Sequence, residues 1–174
     1  MTVDDYLAWA DSQSEKVRAE LINGQIVPMA PERVAHNRTK FSVAVALRQA
    51  IKSAGVPCEA FTDGLTVPID PHTAYEPDVL VHCGDRLSDA QMTAPAPIIV
   101  VEVISPTSAD TSAKLIGYFK LPSVRHYLVI DPEPRTVTHH RRGDDGAMSL
   151  QILASGTLQL DPSGLTVEVA DFFA

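Results

Sequence analysis

The chain has 174 residues, 45% of them hydrophobic and 21% charged, which is typical of one globular domain that can bury a core. Its net charge of −8 argues against a protein that binds nucleic acid by electrostatic attraction over its whole surface. An enzyme that contacts nucleic acid only at its active site is still compatible with this charge. The sequence contains no apolar run of about 18 residues and no signal peptide. We therefore expect a single cytoplasmic domain over residues 1–174, without a membrane span.

Cys58 and Cys83 are the only cysteines. They match no metal-ligand spacing and no disulfide framework. In a reducing compartment thiols stay reduced, and a free cysteine behaves as a small buried hydrophobe. We therefore expect two buried free thiols.

The N-terminal part of the chain carries clear signals for helix ends and for a turn. Thr2 can cap a helix, with Asp5 at the capping-box position. Asn23-Gly24 between two apolar runs is the strongest short-range hairpin signal, and Gly55 is typical of a helix end. The predicted elements are a helix over residues 2–9, a hairpin over 17–29 and a long helix over 31–54.

The long helix carries a polar and mostly basic stripe. Arg33, His36, Asn37 and Lys40 occupy positions i, i+3, i+4 and i+7, and such positions share one helix face. A solvated face is the plain interpretation of this stripe. The functional interpretation is an edge that faces the phosphates of a substrate.

The remainder of the chain alternates apolar runs with one helical segment. Its predicted elements are a strand over residues 58–69 broken at Asp63-Gly64, strands over 78–81 and 98–104, a turn at 105–108, a helix over 110–120, a strand over 126–130, a hairpin return over 135–140, and edge strands from 146 onwards. A strand, a helix and a second strand with short connections predict a right-handed parallel crossover. The expected fold class is therefore α/β with a mixed sheet.

Two carboxylates occupy positions that should be buried. Glu102 lies within the most apolar strand, where alternation places it on one face with Val100 and Ile104. Asp78 begins the preceding strand, and neighbouring strands would bring the two side chains together. A buried carboxylate is costly unless it is paired or binds a metal.

Two interpretations of this pair stay open on spacing alone. Two carboxylates with further oxygen donors suit a hard cation such as Mg²⁺ or Mn²⁺. Lys114, on the following helix, could then position an attacking water. Alternatively, Glu102 and Lys114 form a structural salt bridge.

Several segments of the chain form a combined signature: Glu76-Pro77-Asp78-Val79, Ile99 to Pro106, Asp110 with Lys114, and His126 to Pro132, with Arg18 to Gly24 and His36 upstream. Taken together, these motifs resemble the Uma-type family, a branch of the PD-(D/E)XK, or restriction-endonuclease-like, superfamily. The resemblance spans roughly residues 2–137 and implies a mixed sheet flanked by helices, with an extra N-terminal hairpin and C-terminal strands.

The resemblance implies roles for individual residues. Asp78 matches the aspartate of the PD motif, a metal ligand, and Glu102 matches the acidic residue of (D/E)XK, a second ligand. The main-chain carbonyl of Val103 would be a further ligand. Glu20 matches an early glutamate that holds the metal or its water.

One position departs from the general superfamily pattern. The residue two after Glu102 is Ile104, where the superfamily has its lysine. The family resembled here supplies the amine from the next helix, and Lys114 is the match. The amine would therefore reach the same point from a different part of the backbone.

The leading hypothesis is a metal-dependent nuclease that hydrolyses phosphodiester bonds of nucleic acid, with DNA as the favoured substrate and a homodimer as a possible assembly. Asp78, Glu102, Lys114 and Glu20 would be catalytic, and His36, Arg33 and Lys40 are candidates for substrate contact. An alternative is a nuclease-fold module that binds or assembles without cleaving. A third hypothesis, an enzyme acting on a small phosphorylated compound, fits the acidic charge but no motif.

Overall fold

The computed structural model describes residues 1–15, 17–104 and 111–174. Three helices, α1 to α3, span Val3–Ser12, Val34–Ala54 and Thr111–Tyr118, and a 3-10 helix spans Val169–Phe173. The first six strands, β1 to β6, span Ala19–Ile22, Gln25–Pro28, Cys58–Thr62, Val67–Asp70, Thr73–Tyr75 and Val79–Cys83. The remaining strands, β7 to β12, span Pro97–Val103, His126–Asp131, Thr136–Arg142, Met148–Leu153, Thr157–Leu160 and Leu165–Glu168.

A six-stranded mixed sheet forms the centre of the molecule, in the order β10-β9-β8-β7-β6-β3. Strands β7 and β8 are parallel, and the other neighbours are antiparallel. The two parallel strands flank α3 in the chain, as a crossover requires. The α/β class and the mixed sheet predicted from the sequence are therefore confirmed.

Helix α2 covers one face of this sheet because its apolar residues recur at helical spacing. Val43, Leu47 and Ile51 pack with Val101 and Leu128 in the larger core cluster. The hairpin β11-β12 and the 3-10 helix complete this layer. The C-terminal segment, expected to form edge strands and a short tail, thus also contributes to the core.

The opposite face of the sheet carries a second apolar cluster. Tyr118 of α3 and Tyr75 of β5 pack there against Leu80, Val100 and Tyr127. Strand β5 belongs to a separate four-stranded sheet in the order β2-β1-β5-β4. This small sheet brings the N-terminal hairpin to the side of the central sheet on which Glu102 lies.

Local signals located most elements correctly. Thr2 and Asp5 form the capping box of α1, Asn23 and Gly24 both have positive φ in the β1-β2 turn, and Gly55 ends α2 in the left-handed conformation. The break at 63–64 is also present, but the two halves, β3 and β4, belong to different sheets. The predicted turn at 105–108 and the start of the helix at Asp110 lie outside the described residues.

The expectation of free thiols is wrong. Cys58 and Cys83 form a disulfide. They lie directly opposite each other in the antiparallel pair of β3 and β6, with Cα atoms 4.0 Å apart. This proximity arises from strand pairing, which spacing along the chain does not show.

Among the described residues, no helix combines the length and the apolar character needed to cross a membrane.

Candidate metal centre

Strand register brings the two predicted carboxylates to one place. Strand β6 pairs with β7 so that Val79 lies opposite Val101, and the same register places Asp78 across from Glu102. Both residues are buried, with 4% and 9% of their surface exposed. Two acidic groups therefore meet at one end of the central strands.

Each oxygen of the Asp78 carboxylate has a hydrogen-bond partner. Oδ1 lies 2.9 Å from Nε2 of His36, at the start of α2. Oδ2 accepts a 2.7 Å hydrogen bond from the main-chain amide of Val103. Asp78 is thus held against β7 on one side and against α2 on the other, with its orientation fixed.

Lys114 lies between two buried glutamates. Its Nζ is 2.9 Å from Oε1 of Glu102 and 2.9 Å from Oε1 of Glu20, which β1 contributes. Tyr118, one turn further along α3, donates a 2.9 Å hydrogen bond to the same oxygen of Glu102. The main-chain amide of Glu76 donates to Glu20 over 2.9 Å. Segments distant in the chain therefore converge on one ammonium group.

The balance of charge in this pocket is negative. Burial raises the pKa of Glu102 to about 7, the charges of Asp78 and Glu20 raise it too, and Lys114 lowers it. Burial opposes the charged form of Lys114, but Glu102 and Glu20 outweigh burial and raise the pKa of the amine. The ammonium therefore stays charged between Glu20 and Glu102, while the third carboxylate, Asp78, is contacted by His36.

A second acidic group lies close to Asp78. Ligand atoms of Glu32, His36 and Asp78 all lie within 4.8 Å of one another. Burial lowers the pKa of His36, but its hydrogen bond to Asp78 and the negative charges of Asp78 and Glu32 outweigh burial, so that the pKa is raised. A cation at this point would therefore compete with the proton of His36.

The expected basic stripe on the long helix is only partly at the surface. Arg33 is exposed, but Lys40 is buried. Nζ of Lys40 lies 2.6 Å from Glu32 and 3.1 Å from Asp63, so its charge is balanced inside the protein. The interpretation of residues 33–40 as one solvated face is therefore wrong for Lys40, because that side chain points towards the acidic residues beneath α2.

Several side chains that contact the site were not predicted from the sequence. Tyr118 lies four residues after Lys114 and therefore on the same helix face, a signal that could have identified it. Glu32 lies four residues before His36, but it precedes Arg33, the N-cap residue of α2, so helical spacing does not identify it. Tyr75, whose ring centroid lies 5.8 Å from Nζ of Lys114, is brought there by a strand that local patterns did not predict.

The residues present fit a hard divalent cation. Glu20, Asp78 and Glu102 are carboxylates of the kind that Mg²⁺ and Mn²⁺ prefer, and all three are buried, with Lys114 between Glu20 and Glu102 and His36 against Asp78. Among the described residues, Oε2 of Glu102 accepts no hydrogen bond. The pocket thus combines uncompensated negative charge with available oxygen donors.

Comparison with known proteins decides the family. The model of the Uma2 family, described as "Putative restriction endonuclease", matches residues 3–170. The chain belongs to the Uma2 family. The resemblance seen in the motifs of the sequence is confirmed by this match.

Two curated relatives come from Synechocystis sp. (strain PCC 6803). The uncharacterized protein slr1290 is 29% identical over 173 residues, which cover 97% of this chain and 89% of the relative. The uncharacterized protein sll1609 is 27% identical over 172 residues, which cover 96% and 95%. This Uma2 chain is therefore similar to both relatives over nearly its whole length.

The fold is also found in a solved structure. The crystal structure of a putative nuclease belonging to DUF820 from Anabaena variabilis superposes with a TM-score of 0.76, covering 99% of this chain and 97% of the other. The two chains are 17% identical, so the similarity establishes the nuclease-like fold of this Uma2 protein and does not extend to its chemistry.

Proposed function

We propose that this Uma2 protein is a metal-dependent endonuclease that hydrolyses phosphodiester bonds of nucleic acid, with DNA as the favoured substrate. One observation carries the proposal: Glu102 is buried between Asp78, across the strand pair, and the Lys114 ammonium group, which also contacts buried Glu20. Such an arrangement is costly for stability alone. It is useful, however, to an enzyme that recruits a cation to a phosphate.

Asp78 and Glu102 would hold the ion, Mg²⁺ or Mn²⁺, with Glu20 and the carbonyl of Val103 as further donors. When bound, the ion would polarise the scissile phosphate and lower the pKa of an attacking water. Val103 is suited to this position because its own amide already binds Asp78. The two carboxylates are therefore supported by the backbone of β7.

Lys114 would orient the attacking water and stabilise the negative charge that develops on the phosphate. Its raised pKa makes it a charged donor and argues against a role as general base. Tyr118 keeps Glu102 in place through its hydrogen bond. His36 would orient Asp78, and Arg33, exposed at the start of α2, would contact a flanking phosphate.

The proposal also includes one catalytic domain over residues 1–174, a cytoplasmic location and a homodimer. Cutting both strands of a duplex usually needs two active sites, which a dimer would supply. Analytical ultracentrifugation with and without a short duplex tests the assembly. A monomer that nicks only one strand at a time would contradict the dimer without contradicting the hydrolysis.

A cleavage assay tests the function. Plasmid and single-stranded DNA are incubated with the protein in Mg²⁺, in Mn²⁺ and in EDTA, and wild type is compared with Glu102→Ala and with Glu59→Ala. Glu59 is a half-exposed carboxylate on β3 of the same sheet, so its variant is the matched control. We expect metal-dependent cleavage by wild type and by the control, and none by Glu102→Ala.

One observation favours a second candidate, a nuclease-fold module that binds or assembles without cleaving. Lys114 already forms salt bridges to both Glu20 and Glu102, which is the structural pairing that a non-catalytic protein would retain. Folded wild-type protein that cleaves neither DNA nor RNA in either metal would favour this module. Metal-dependent turnover would exclude it.

A further inference from the structure

The outward face of α2 carries a continuous stripe of basic and apolar side chains. These residues are spaced by four and three positions alternately, so they lie along one line of the helix. The line is opposite the side on which Val43 and Leu47 enter the core. The residues of this outer stripe are Val34, Arg38, Phe41, Val45, Arg48 and Lys52, all of them exposed.

The outer stripe is positively charged in an acidic protein. Residues 33–54 contain no aspartate or glutamate, whereas the whole chain has 22 acidic and 14 basic residues. Among the described residues, Arg38, Arg48 and Lys52 form no ion pair or hydrogen bond. Their charges are therefore not balanced by neighbouring carboxylates, and they are available to a negatively charged partner.

An aromatic ring lies among these cations. Phe41 has 67% of its surface exposed, and Val34, also on the outer stripe, has 66%. Arg38 and Val45 are the helical neighbours of Phe41, at i−3 and i+4. An exposed ring beside a guanidinium group is the arrangement on which bases of a single strand stack.

The outer stripe and His36 lie on opposite faces of the first turn of α2, because Val34 and His36 are two residues apart, about 200° around the helix. Arg33 and Val34 lie at the start of α2, within three residues of His36, which contacts Asp78. From His36 to Lys52 the helix extends about 24 Å at 1.5 Å per residue. A strand whose phosphate lies at the metal centre would reach the outer stripe by passing around the start of α2, a helix about 10–12 Å across with its side chains.

We propose that the outer stripe of α2 binds a single-stranded segment of nucleic acid next to the cleavage point. The proposal rests on the proposed function for the meaning of that cleavage point, and it names the strandedness of the substrate. The arginines and the lysine would contact phosphates, and Phe41 would stack on a base. A duplex also presents phosphates to the cations, but it offers little to Phe41 because its bases are already stacked on one another.

Charge argues against a second copy of this chain as the occupant. If two outer stripes packed antiparallel about Val45, Arg38 of one copy would face Lys52 of the other. If they packed in parallel, each cation would face its own counterpart. Like charges in contact destabilise helix pairs, whereas a polyanion is attracted at every one of these positions.

Fluorescence anisotropy measures the binding directly. Labelled 20-nucleotide single-stranded DNA, single-stranded RNA and duplex DNA are titrated in EDTA over a range of salt concentrations, so that cleavage plays no part. In Arg38→Gln/Arg48→Gln/Lys52→Gln we expect the slope of log K against log salt for single strands to fall by about 2, since each contact contributes about 0.7. Comparison of the affinities for single-stranded DNA and single-stranded RNA shows whether the outer stripe prefers deoxyribose or ribose.

Substitutions of Phe41 distinguish base stacking from electrostatic attraction to the phosphates. Phe41→Leu keeps an apolar side chain and should weaken single-strand binding roughly tenfold, within the range found for loss of one stacked base. Phe41→Trp should retain the wild-type affinity, because it keeps a ring. Neither change should alter duplex binding. The side chain is exposed, so both variants should fold, and thermal unfolding checks this.

The matched control removes the same charge elsewhere. Arg86→Gln/Lys120→Gln/Arg135→Gln alters three exposed cations outside α2 and should leave the salt slope near that of wild type. Equal loss of affinity in both triple variants, or wild-type binding by the α2 triple variant, would overturn the proposal. So would single-strand binding that does not distinguish Phe41→Leu from Phe41→Trp.

The outcomes also separate this proposal from the proposed function. If the α2 variants bind as wild type does while metal-dependent cleavage is present, the outer stripe is excluded and the nuclease stands. If wild type binds single strands through α2 but cleaves nothing, the outer stripe stands and the nuclease is excluded.

Discussion

At the scale of single residues, Lys114 balances the charge of the candidate site. Its ammonium group is within 2.9 Å of Glu20 and of Glu102, both buried. Removing one partner of a buried ion pair leaves an uncompensated charge and costs about 3–5 kcal/mol. The free energy of unfolding therefore reports on the charges of the site without any need for catalysis.

Lys114→Met should therefore lower the free energy of unfolding by about 3 kcal/mol in EDTA. Mg²⁺ or Mn²⁺ should recover part of this loss, because a cation bound to the native state compensates the same carboxylates. Urea unfolding in EDTA and in metal measures both effects. Lys120→Met is the control, since its pairing with Asp70 is at the surface and should contribute less than about 1 kcal/mol. A loss in Lys114→Met that metal does not reduce would contradict a cation at this point.

A pair of buried histidines makes stability depend on pH. Nε2 of His126 donates to the carbonyl of Asp161 over 2.7 Å, so its Nδ1 accepts from Nε2 of His139 over 2.8 Å. The pKa of each ring is lowered to about 4 from the ordinary 6.5, chiefly by burial and, for His126, also by the proximity of His139. The fold therefore favours the neutral rings.

Stability should consequently decrease as the pH falls from about 6.5 to 4. Over this range the unfolded chain binds more protons than the native protein, and each histidine contributes roughly 2 kcal/mol to the loss. Urea unfolding at successive pH values measures the slope. His139→Gln should have a shallower slope than wild type, whereas His72→Gln, at an exposed histidine, should have the wild-type slope. Equal slopes in all three proteins would contradict the account of this pair.

Sequence reasoning at this scale identified residues that are unusual in their own strand. Glu102 is a carboxylate within an apolar run, the order of strands and helix placed Asp78 and Lys114 beside it, and the family motif supplied Glu20. Contacts that depend on the meeting of distant segments were not predictable. The bond between His36 and Asp78 joins residues 42 positions apart, and no local pattern specifies it.

At the scale of elements, the position of α3 depends on Gly117. A Cβ atom at this position would lie 2.5 Å from Cε2 of Tyr75, so the helix can approach β5 only because the side chain is absent. This close approach carries Lys114, three residues earlier, to Glu20 and Glu102. The glycine thus acts on the site through packing.

Gly117→Ala should lower cleavage activity at least tenfold, although alanine favours a helix by about 1 kcal/mol relative to glycine. Overpacking at a buried position costs about 1–3 kcal/mol and would move α3 away from the glutamates. Ile116→Ala, at an exposed position of the same helix, is the control and should keep wild-type activity. Activity and thermal unfolding are measured for both. Wild-type activity in Gly117→Ala would show that α3 need not approach this closely.

Elements were predictable where their ends carry local signals. The capping box of α1, the Asn23-Gly24 turn and the glycine after α2 each determine the backbone within a few residues. Strand β5 has only three residues, too few for a pattern to be seen. The assignment of β3 and β4 to different sheets depends on pairing partners elsewhere in the chain, and periodicity contains no information about these partners.

At the scale of the whole molecule, the disulfide joins β3 at the edge of the central sheet to its neighbour β6. Cys58 and Cys83 are 25 residues apart, and closing a loop of this length stabilises the native state by about 3 kcal/mol through the entropy of the unfolded chain. In a reducing cytoplasm this contribution would be absent. The free energy of unfolding therefore depends on whether the compartment in which the protein is located keeps Cys58 and Cys83 oxidised.

Cys58→Ser/Cys83→Ser should be less stable than the oxidised protein by about 3 kcal/mol, and dithiothreitol should lower the stability of wild type towards that of the variant. Urea unfolding with and without reductant measures this difference. Titration of thiols in denatured, unreduced protein should find none. Two free thiols per chain would instead support the original expectation from spacing and compartment.

Binding of Mn²⁺ is the measurement that tests the central claim most directly, since the account depends on a divalent ion held by Asp78 and Glu102. Electron paramagnetic resonance follows free Mn²⁺ as it is titrated into wild type, Asp78→Asn and the control Glu59→Gln. Wild type and the control should bind the ion with the same affinity, and Asp78→Asn should bind it at least tenfold more weakly. Equal binding by all three proteins, or no binding by folded wild type, would contradict the account.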